Sequence, residues 1–299
     1  VSDFVKSKLK EFNLEYFEDK WGNIEVVLEG ETDNEIVYIS HMDHPGFEII
    51  EKVDNNLYKA KTLGGLPKLC DSKNSKIKVI NGHDTIKGKL ISLDKENSDQ
   101  FRFNTFDRWL NKEFVLIQAD INNLCLPLPA VFDLPNSKIQ DNQIITPVAD
   151  DLAGCSLILE TLNILKNTEI NYSIRAIFSR AEEVGLLGAR LIAKSNRISK
   201  KSIIVSIETS SELPGAVSGS GPIIRTGDRA STFDNSGEII LLSSVKELVK
   251  ENSEFKFQRQ LMSLGGCEAT AFSAFGYKVT GISLPLINWH NANEEGNVE

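Results

Sequence analysis

The sequence predicts an α/β protein in which a mainly parallel mixed sheet is flanked by helices and a small β-barrel-like domain is inserted. Strand-like and helix-like runs alternate near both ends of the chain, which is typical of a parallel sheet with helices on both faces. Between residues 46 and 140, short strand-like runs are separated by Gly, Asn, Asp and Pro, which indicates a separate β-rich domain. We therefore expect one domain from residues 1–45 and 141–299, and a second from residues 46–140.

The elements follow from the spacing of apolar residues along the chain. The first part predicts a helix over 1–12 and strands over 24–29 and 35–40. The clearest strands of the insert are 76–80, 86–91 and 114–118. After the insert, the pattern predicts helix 151–166, strand 172–179, helix 185–195, strand 202–208, helices 237–252 and 268–275, and strand 279–284.

Composition restricts the class of partner. The formal net charge of −9 arises from 42 acidic and 33 basic residues without a long run of either sign. This balance argues against nucleic-acid and anionic-membrane partners and favours small neutral or cationic substrates.

No apolar stretch approaches the roughly 18–20 residues that span a bilayer. The four cysteines lack paired spacing, which favours free thiols in a reducing, cytoplasmic compartment over a zinc knuckle.

Residues that can bind metals follow the ends of predicted strands. Ligands of open α/β sheets bind outside the carboxyl ends of the strands, so these side chains should converge in one crevice. They are His41 and Asp43, Asp150 and Asp151, Glu182 and Glu183, Glu208, and His290. His44 lies at the mouth of the same region, where it could contact substrate.

Each of these residues has an ordinary explanation when it is taken alone. His41 could be a core histidine, Asp150 or Asp151 a helix N-cap, and Glu182-Glu183 part of a solvated helix face. Together they match the needs of two divalent cations about 3.5–4 Å apart, namely a bridging carboxylate plus a His and a carboxylate for each ion. Paired carboxylates also suggest a glycosidase, but the two histidines in register favour a metal centre.

The motifs around these residues resemble the dinuclear metallo-aminopeptidases that include glutamyl aminopeptidase and the TET aminopeptidases, within the zinc aminopeptidase, carboxypeptidase and deacylase clan. The matching segments are 40–46, 150–154, 181–188, 219–222, 265–269 and 289–294. The resemblance implies a zinc-peptidase-like fold with a cis Asp150-Asp151 peptide. It also implies that His41, Asp150 and Glu208 hold one ion, that His290, Glu183 and the shared Asp150 hold the other, and that Glu182 is the general base and acid.

The resemblance also assigns residues around the ligands. Asp43 would assist catalysis by accepting the free ring N–H of His41, and Glu294 would be a second outer group. The insert falls in the interval from His41 to Asp150 (150 − 41 = 109 positions), not in that from Glu208 to His290 (290 − 208 = 82 positions). That placement matches the TET-like branch, in which the insert pairs subunits and can act as a lid. A homodimer is expected, with a dodecamer as the larger alternative.

Several positions depart from the family pattern. Glu208 and Glu268 stand where the family usually has Asp, Cys267 stands where it has Thr, and Arg225 follows the Gly-rich loop at a position that could enter the substrate pocket. The chain starts at Val1 inside a predicted helix and ends nine positions after His290 (299 − 290), where the family has a further helix. We therefore expect that the natural chain is longer at both ends.

The expected activity is hydrolysis of the N-terminal residue of short peptides by a metal-activated water. Zn²⁺ is the expected ion for both sites, with Co²⁺ or Mn²⁺ as alternatives, because geometry alone rarely selects among them. Burial and a neighbouring anion should raise the pKa of Glu182 while the cations lower it, so that it titrates near neutrality. The alternatives are a deacylase or carboxypeptidase of the same clan, and a non-catalytic binding or assembly subunit.

Overall fold

The computed structural model describes residues 1–91, 109–122 and 125–299, so part of the predicted insert lies outside the described residues. The chain forms two units, Val1–Asp43 with Ala149–Ile287 and His44–Val148 with Asn288–Glu299. The helices are α1 (Ser2–Glu11), α2 (Leu152–Leu165), α3 (Leu187–Lys194), α4 (Asn235–Glu251) and α5 (Glu268–Ser273). None of the helices in the described residues is both long enough and apolar enough to cross a membrane.

The strands are, in chain order, β1 (Phe17–Glu18), β2 (Ile24–Leu28), β3 (Thr32–His41), β4 (Gly46–Asp54), β5 (Leu57–Leu63), β6 (Lys76–Asn81), β7 (Asp84–Ile91), β8 (Phe114–Ala119), β9 (Leu128–Phe132), β10 (Lys138–Gln140), β11 (Gln143–Ile145), β12 (Tyr172–Ser179), β13 (Ile203–Ser211), β14 (Ile223–Asp228), β15 (Gln258–Met262) and β16 (Lys278–Leu286). The predicted bounds of β12 agree with the structure. The longer β3 and β13 carry His41 and Glu208 within the strands themselves.

The first unit contains an eight-stranded sheet in the order β1-β2-β12-β3-β13-β16-β14-β15. Strands β12, β3, β13 and β16 are parallel neighbours, whereas β2 and β14 pair antiparallel to this central group. The predicted mainly parallel mixed sheet is therefore confirmed. Because the four central strands run in the same direction, their carboxyl ends lie at one edge of the sheet.

Side chains of the central strands alternate between two apolar layers, as the period of a strand requires. On one face, Leu9 of α1 and Ile158 of α2 pack with Phe178 and other buried residues of the sheet. On the opposite face, Ile192 of α3 and Phe272 of α5 pack with Ile39 and Ile177, among others. Full burial of a Leu, Ile or Phe side chain stabilises the fold by roughly 1.5–3 kcal/mol, so these layers hold the helices against the sheet.

The second unit is a closed antiparallel barrel of six strands in the order β4-β5-β8-β7-β6-β9, which confirms the predicted β-barrel-like insert. Its interior is apolar and includes Phe47, Tyr58, Ile77 and Ile117. The sequence analysis assigned residues 288–299 to the α/β domain, but the structure groups Asn288–Glu299 with the barrel unit. The physical reason is local pairing, because the Leu69 N–H donates to the Gly296 carbonyl at 2.9 Å and Val298 packs against the barrel core.

Candidate metal centre and catalytic residues

His41 is the last residue of β3 and is only 1% exposed. Its Nε2 lies 3.2 Å from Asp150 Oδ1 and 3.9 Å from Glu182 Oε2, so one ring nitrogen faces two carboxylates. Its Nδ1 lies 3.1 Å from the main-chain carbonyl oxygen of Asp43. That contact fixes the orientation of the ring and leaves Nε2 available as a metal ligand.

The expected role of Asp43 requires correction. Its carboxylate Oδ1 is 3.8 Å from His41 Nδ1, beyond hydrogen-bonding distance, whereas the carbonyl of the same residue is close. The carboxylate instead accepts the backbone N–H groups of Glu182 at 3.0 Å and of Glu183 at 3.1 Å. Asp43 therefore holds the turn after β12 that carries both glutamates, because the two N–H groups have no strand partner at that point.

The Asp150-Asp151 peptide is cis, as the resemblance implies. Asp151 is the N-cap of α2 and accepts the Gly154 N–H at 3.1 Å, so the helix-cap explanation applies to Asp151. Ser40 Oγ donates to the carboxylate of Asp151, and Cys155 Sγ donates to the His41 carbonyl at 3.2 Å. These buried contacts tie β3 to the start of α2 and leave the side chain of Asp150 directed at His41.

Two overlapping groups in the first unit could hold a metal ion. One contains His41, Asp150 and Glu208, and the other contains His41, Glu182 and Glu183; within each group the ligand atoms lie within 4.8 Å of one another. Glu208 is 4% exposed, and its Oε1 is buried without a hydrogen-bond partner among the described residues. A buried carboxylate oxygen of this kind is costly unless a cation or a donor satisfies it. Imidazole nitrogen and carboxylate oxygen are also the donors that Zn²⁺ takes in proteins, so the residues fit a divalent metal.

The neighbouring carboxylates of this cluster disfavour ionisation of one another and so raise one another's pKa. Burial raises the pKa of Glu182 to about 8; His41 opposes this shift, and the carboxylates of Glu268, Asp150 and Asp43 add to it. Burial, followed by neighbouring carboxylates, also raises the pKa of Glu183 and of Glu208 well above the ordinary range. Burial alone would lower the pKa of His41, but Glu182, Asp150 and Glu208 outweigh it and raise the value. A bound divalent cation would relieve this mutual repulsion.

The remaining predicted residues are His290, His44, Glu294 and Arg225. In the second unit, His290 Nδ1 is 3.1 Å from the Gly65 carbonyl oxygen, and His44 Nε2 is 2.9 Å from Asn291 Oδ1. Glu294 is exposed, and its expected outer role stays a prediction. In the first unit, Arg225 is 2% exposed on β14 and its Nε lacks a hydrogen-bond partner among the described residues.

Arg225 lies among buried anionic groups. Burial alone would lower the pKa of its guanidinium, but neighbouring Cys267 and the carboxylates of Glu208, Asp228 and Glu268 raise it. Its Cδ would lie 3.3 Å from a β-carbon built on Gly281, so the absence of a side chain at Gly281 makes room for it. This environment indicates a buried counter-charge on the first unit, and a contact of Arg225 with substrate stays a prediction.

Sequence reasoning missed the hydrogen bonds made by Glu268. Its two carboxylate oxygens accept Ser179 Oγ and Ser206 Oγ, each at 3.1 Å. The segment 265–269 was recognised as a match to the family pattern with departures at Cys267 and Glu268. The available signal was the occurrence of a serine in each of two predicted strands, which alone does not identify their partner.

The chain is similar in fold to several peptidases of known structure. The TET1 peptidase of Pyrococcus horikoshii is 23% identical, with 95% of this chain and 84% of that chain covered at a TM-score of 0.74. The TET aminopeptidase of a marine sediment Thaumarchaeota archaeon is 19% identical, with 95% and 83% covered at 0.78. An M18-family aminopeptidase of Thermotoga maritima is 15% identical, with 97% and 86% covered at 0.65. These likenesses establish the fold.

The family is established by a separate match. The sequence matches the M42 glutamyl aminopeptidase family over residues 22–299, which includes the metal-capable residues of both units. The chain therefore belongs to the M42 glutamyl aminopeptidase family, whose members are metal-dependent peptidases.

Proposed function

We propose that this protein is a dinuclear-metal aminopeptidase that releases the N-terminal residue of short peptides. The observation that carries the proposal is the cluster of buried and half-buried residues His41, Asp150, Glu182, Glu183 and Glu208 at the carboxyl edge of the sheet. It combines one set of metal donors, His41, Asp150 and Glu208, with a carboxylate outside that set, Glu182, whose pKa is raised to about 8. A hydrolase that activates water needs this combination of ligands and proton acceptor.

The ligand assignment extends the resemblance to this chain. His41, Asp150 and Glu208 would hold one ion, and Glu183, His290 and the shared Asp150 would hold the other. We expect Zn²⁺ in both positions, with Co²⁺ or Mn²⁺ as substitutes. When bound, such ions supply a water that ionises near neutral pH and polarise the peptide carbonyl. Glu208 retains the donor type of the usual aspartate and changes only its reach.

Glu182 is the proposed proton carrier. Its backbone N–H is fixed by Asp43 at 3.0 Å, and its Oε2 lies 3.9 Å from His41 Nε2, so the carboxylate is directed toward the ligand cluster. The ionised carboxylate would accept a proton from the attacking water and then donate it to the departing amine. A pKa near the working pH suits both steps, because the same group must accept and release the proton.

The first test is the release of amino acids from unblocked peptides and from their N-acetylated copies, using metal-loaded protein. Cleavage of the unblocked set alone, abolished by a chelator, is the expected result. Cleavage of the blocked set would identify a deacylase, and release from the carboxyl end would identify a carboxypeptidase. Absence of cleavage with two ions bound per chain would favour the binding or assembly alternative and overturn the proposal.

A substitution tests the proton carrier. Glu182→Gln should retain the fold and both ions but lower kcat about 10² to 10⁴-fold, the usual contribution of general acid–base catalysis. Glu160→Gln, at an exposed position on α2, is the matched control and should leave kcat unchanged. Full turnover by Glu182→Gln with metal content preserved would remove Glu182 from the mechanism.

We also propose that the chain forms a homo-oligomer, either a homodimer or a larger shell. The TET1 peptidase of P. horikoshii is described as assembling into a tetrahedron or a large octahedral shell. In the present chain, the β10–β11 hairpin presents Ile139 and Ile144 as cross-strand partners that are 82% and 76% exposed. Exposed apolar pairs of this kind favour contact with another chain. Light scattering of the wild type and of Ile139→Lys/Ile144→Lys tests this, and an unchanged mass would exclude the hairpin as a subunit contact.

A further inference from the structure

Glu268 is a fully buried carboxylate that the proposed chemistry does not use. It is the first residue of α5 and is 0% exposed. Its Oε1 accepts the hydroxyl of Ser179 and its Oε2 accepts the hydroxyl of Ser206, both at 3.1 Å. Burial of a carboxylate is costly unless its oxygens are hydrogen-bonded, so the two serine hydroxyls offset part of the cost of burying Glu268.

The two serines lie on different strands on either side of β3. Ser179 is the last residue of β12 and pairs with His41, whereas Ser206 lies in β13 and pairs with Ile39. One carboxylate therefore connects β12 to β13 across the strand that carries His41. The link forms on the face of the sheet where α3 and α5 pack.

Each serine lies two or three positions before a residue of the candidate centre. Glu182 follows Ser179 by three positions, on the turn that leaves β12. Glu208 follows Ser206 by two positions within β13, so their side chains leave the strand on the same face. A shift of either strand at its serine would therefore move one of the two glutamates relative to His41.

We propose that Glu268 is a positioning residue of the metal centre, which holds the carboxyl end of β12 through Ser179 and the middle of β13 through Ser206, and so fixes Glu182 and Glu208 relative to His41. The roles of Glu182 and Glu208 are those of the proposed function, on which this inference rests. The simpler alternative is that Glu268 only anchors α5 to the sheet. Both accounts expect lower stability when the contacts are removed, and only the proposal expects a different functional loss for each serine.

Serine-to-alanine substitutions separate the two accounts because they leave the Glu268 side chain unchanged. The informative variants are Ser206→Ala and Ser179→Ala. Ser202→Ala is the matched control, since Ser202 is 1% exposed, lies just before the opposite end of β13 and donates to the Glu35 carboxylate at 2.6 Å. Ser206→Thr keeps the hydroxyl and serves as the conservative variant.

Two measurements are required. The affinity of metal-free protein for Zn²⁺ is determined by competition with a chromophoric chelator, and kcat and KM are determined on an unblocked peptide at saturating Zn²⁺. We expect Ser206→Ala to weaken Zn²⁺ binding about 10- to 100-fold, the usual effect of losing an outer group that orients a ligand. We expect Ser179→Ala to lower kcat about tenfold without raising KM, since Glu182 moves protons after substrate has bound.

The control and the conservative variant decide the interpretation. Ser202→Ala should lose stability without a change in Zn²⁺ affinity or kcat, and Ser206→Thr should restore Zn²⁺ binding. If Ser179→Ala and Ser206→Ala both behave like Ser202→Ala, Glu268 anchors α5 only and the inference is wrong. The Zn²⁺ measurement requires no substrate, so it still tests Glu268 if the wild-type protein cleaves no peptide and the proposed function fails.

Discussion

The contacts of Asp43 predict a loss of turnover that does not depend on metal affinity. The carboxylate accepts the backbone N–H groups of Glu182 and Glu183, whereas His41 contacts the main-chain carbonyl of Asp43. Any residue at position 43 keeps that carbonyl. Asp43→Asn should therefore preserve the His41 contact and disturb only the turn that carries the two glutamates.

The size of the effect follows from the bonds that are lost. An amide can accept one of the two N–H groups with its oxygen, but its NH₂ group faces the other, so one charge-assisted hydrogen bond disappears. Such bonds contribute roughly 1.5–3 kcal/mol, and each 1.36 kcal/mol changes a rate about tenfold. The side chain is 25% exposed, so water can replace part of the loss. We expect kcat at saturating Zn²⁺ to fall at most about 10- to 100-fold.

The assay compares kcat at saturating Zn²⁺ with Zn²⁺ affinity measured without substrate. Asp71→Asn is the matched control, because Asp71 Oδ1 accepts the Ser72 N–H at 2.7 Å in the barrel unit. That control should leave kcat unchanged. If kcat of Asp43→Asn at saturating Zn²⁺ stays at the wild-type value, the Asp43 carboxylate does not hold Glu182 in its working position and the present reasoning is refuted.

Three further predictions concern packing, thiols and pH. Gly188→Ala should lower the free energy of unfolding by about 1–3 kcal/mol in urea titrations, since the added carbon would lie 2.3 Å from the Arg180 carbonyl; Gly266→Ala, with open space around it, is the control. Alkylation near pH 8, followed by mass spectrometry, should modify only the exposed Cys125 in native protein. Burial raises the pKa of the other three thiols to about 12, and these are Cys70, Cys155 and Cys267. Modification of any of the three without unfolding would contradict this prediction. Burial raises the pKa of Asp19, but hydrogen bonds from neighbouring N–H groups outweigh it and hold the pKa below its ordinary value. Its ionised form therefore stabilises the fold above the unfolded pKa of about 3.9, and this stabilisation is lost as pH falls through the lower folded pKa. The destabilisation caused by Asp19→Asn should shrink over the same pH range. A difference in the free energy of urea unfolding between wild type and Asp19→Asn that does not change with pH would contradict this.

The sequence predicted the elements and the metal-capable residues of the first unit because both depend on short-range rules. Alternating apolar runs specify strands such as β12, and the rule that ligands collect at carboxyl ends of parallel strands brings His41 and Glu208 to one edge. The tail after Asn288 was placed with the wrong unit, because its pairing with Leu69 and the packing of Val298 depend on contacts far apart in sequence. No period or turn signal reports such contacts.

Outer contacts of the candidate centre were harder to predict than its ligands, and Asp43 and Glu268 explain why. A ligand position follows from where a strand ends, but a hydrogen bond also requires the direction of each side chain and the approach of a third element. Ser206 and Glu268 are separated by 62 positions, and Ser179 and Glu268 by 89. Asp43 was assigned to the ring nitrogen two residues away, although the turn after β12, some 140 positions later, brings two unsatisfied N–H groups closer. Backbone groups left unpaired where a strand ends must find acceptors, so a carboxylate beside such an end is better assigned to them than to a neighbouring side chain.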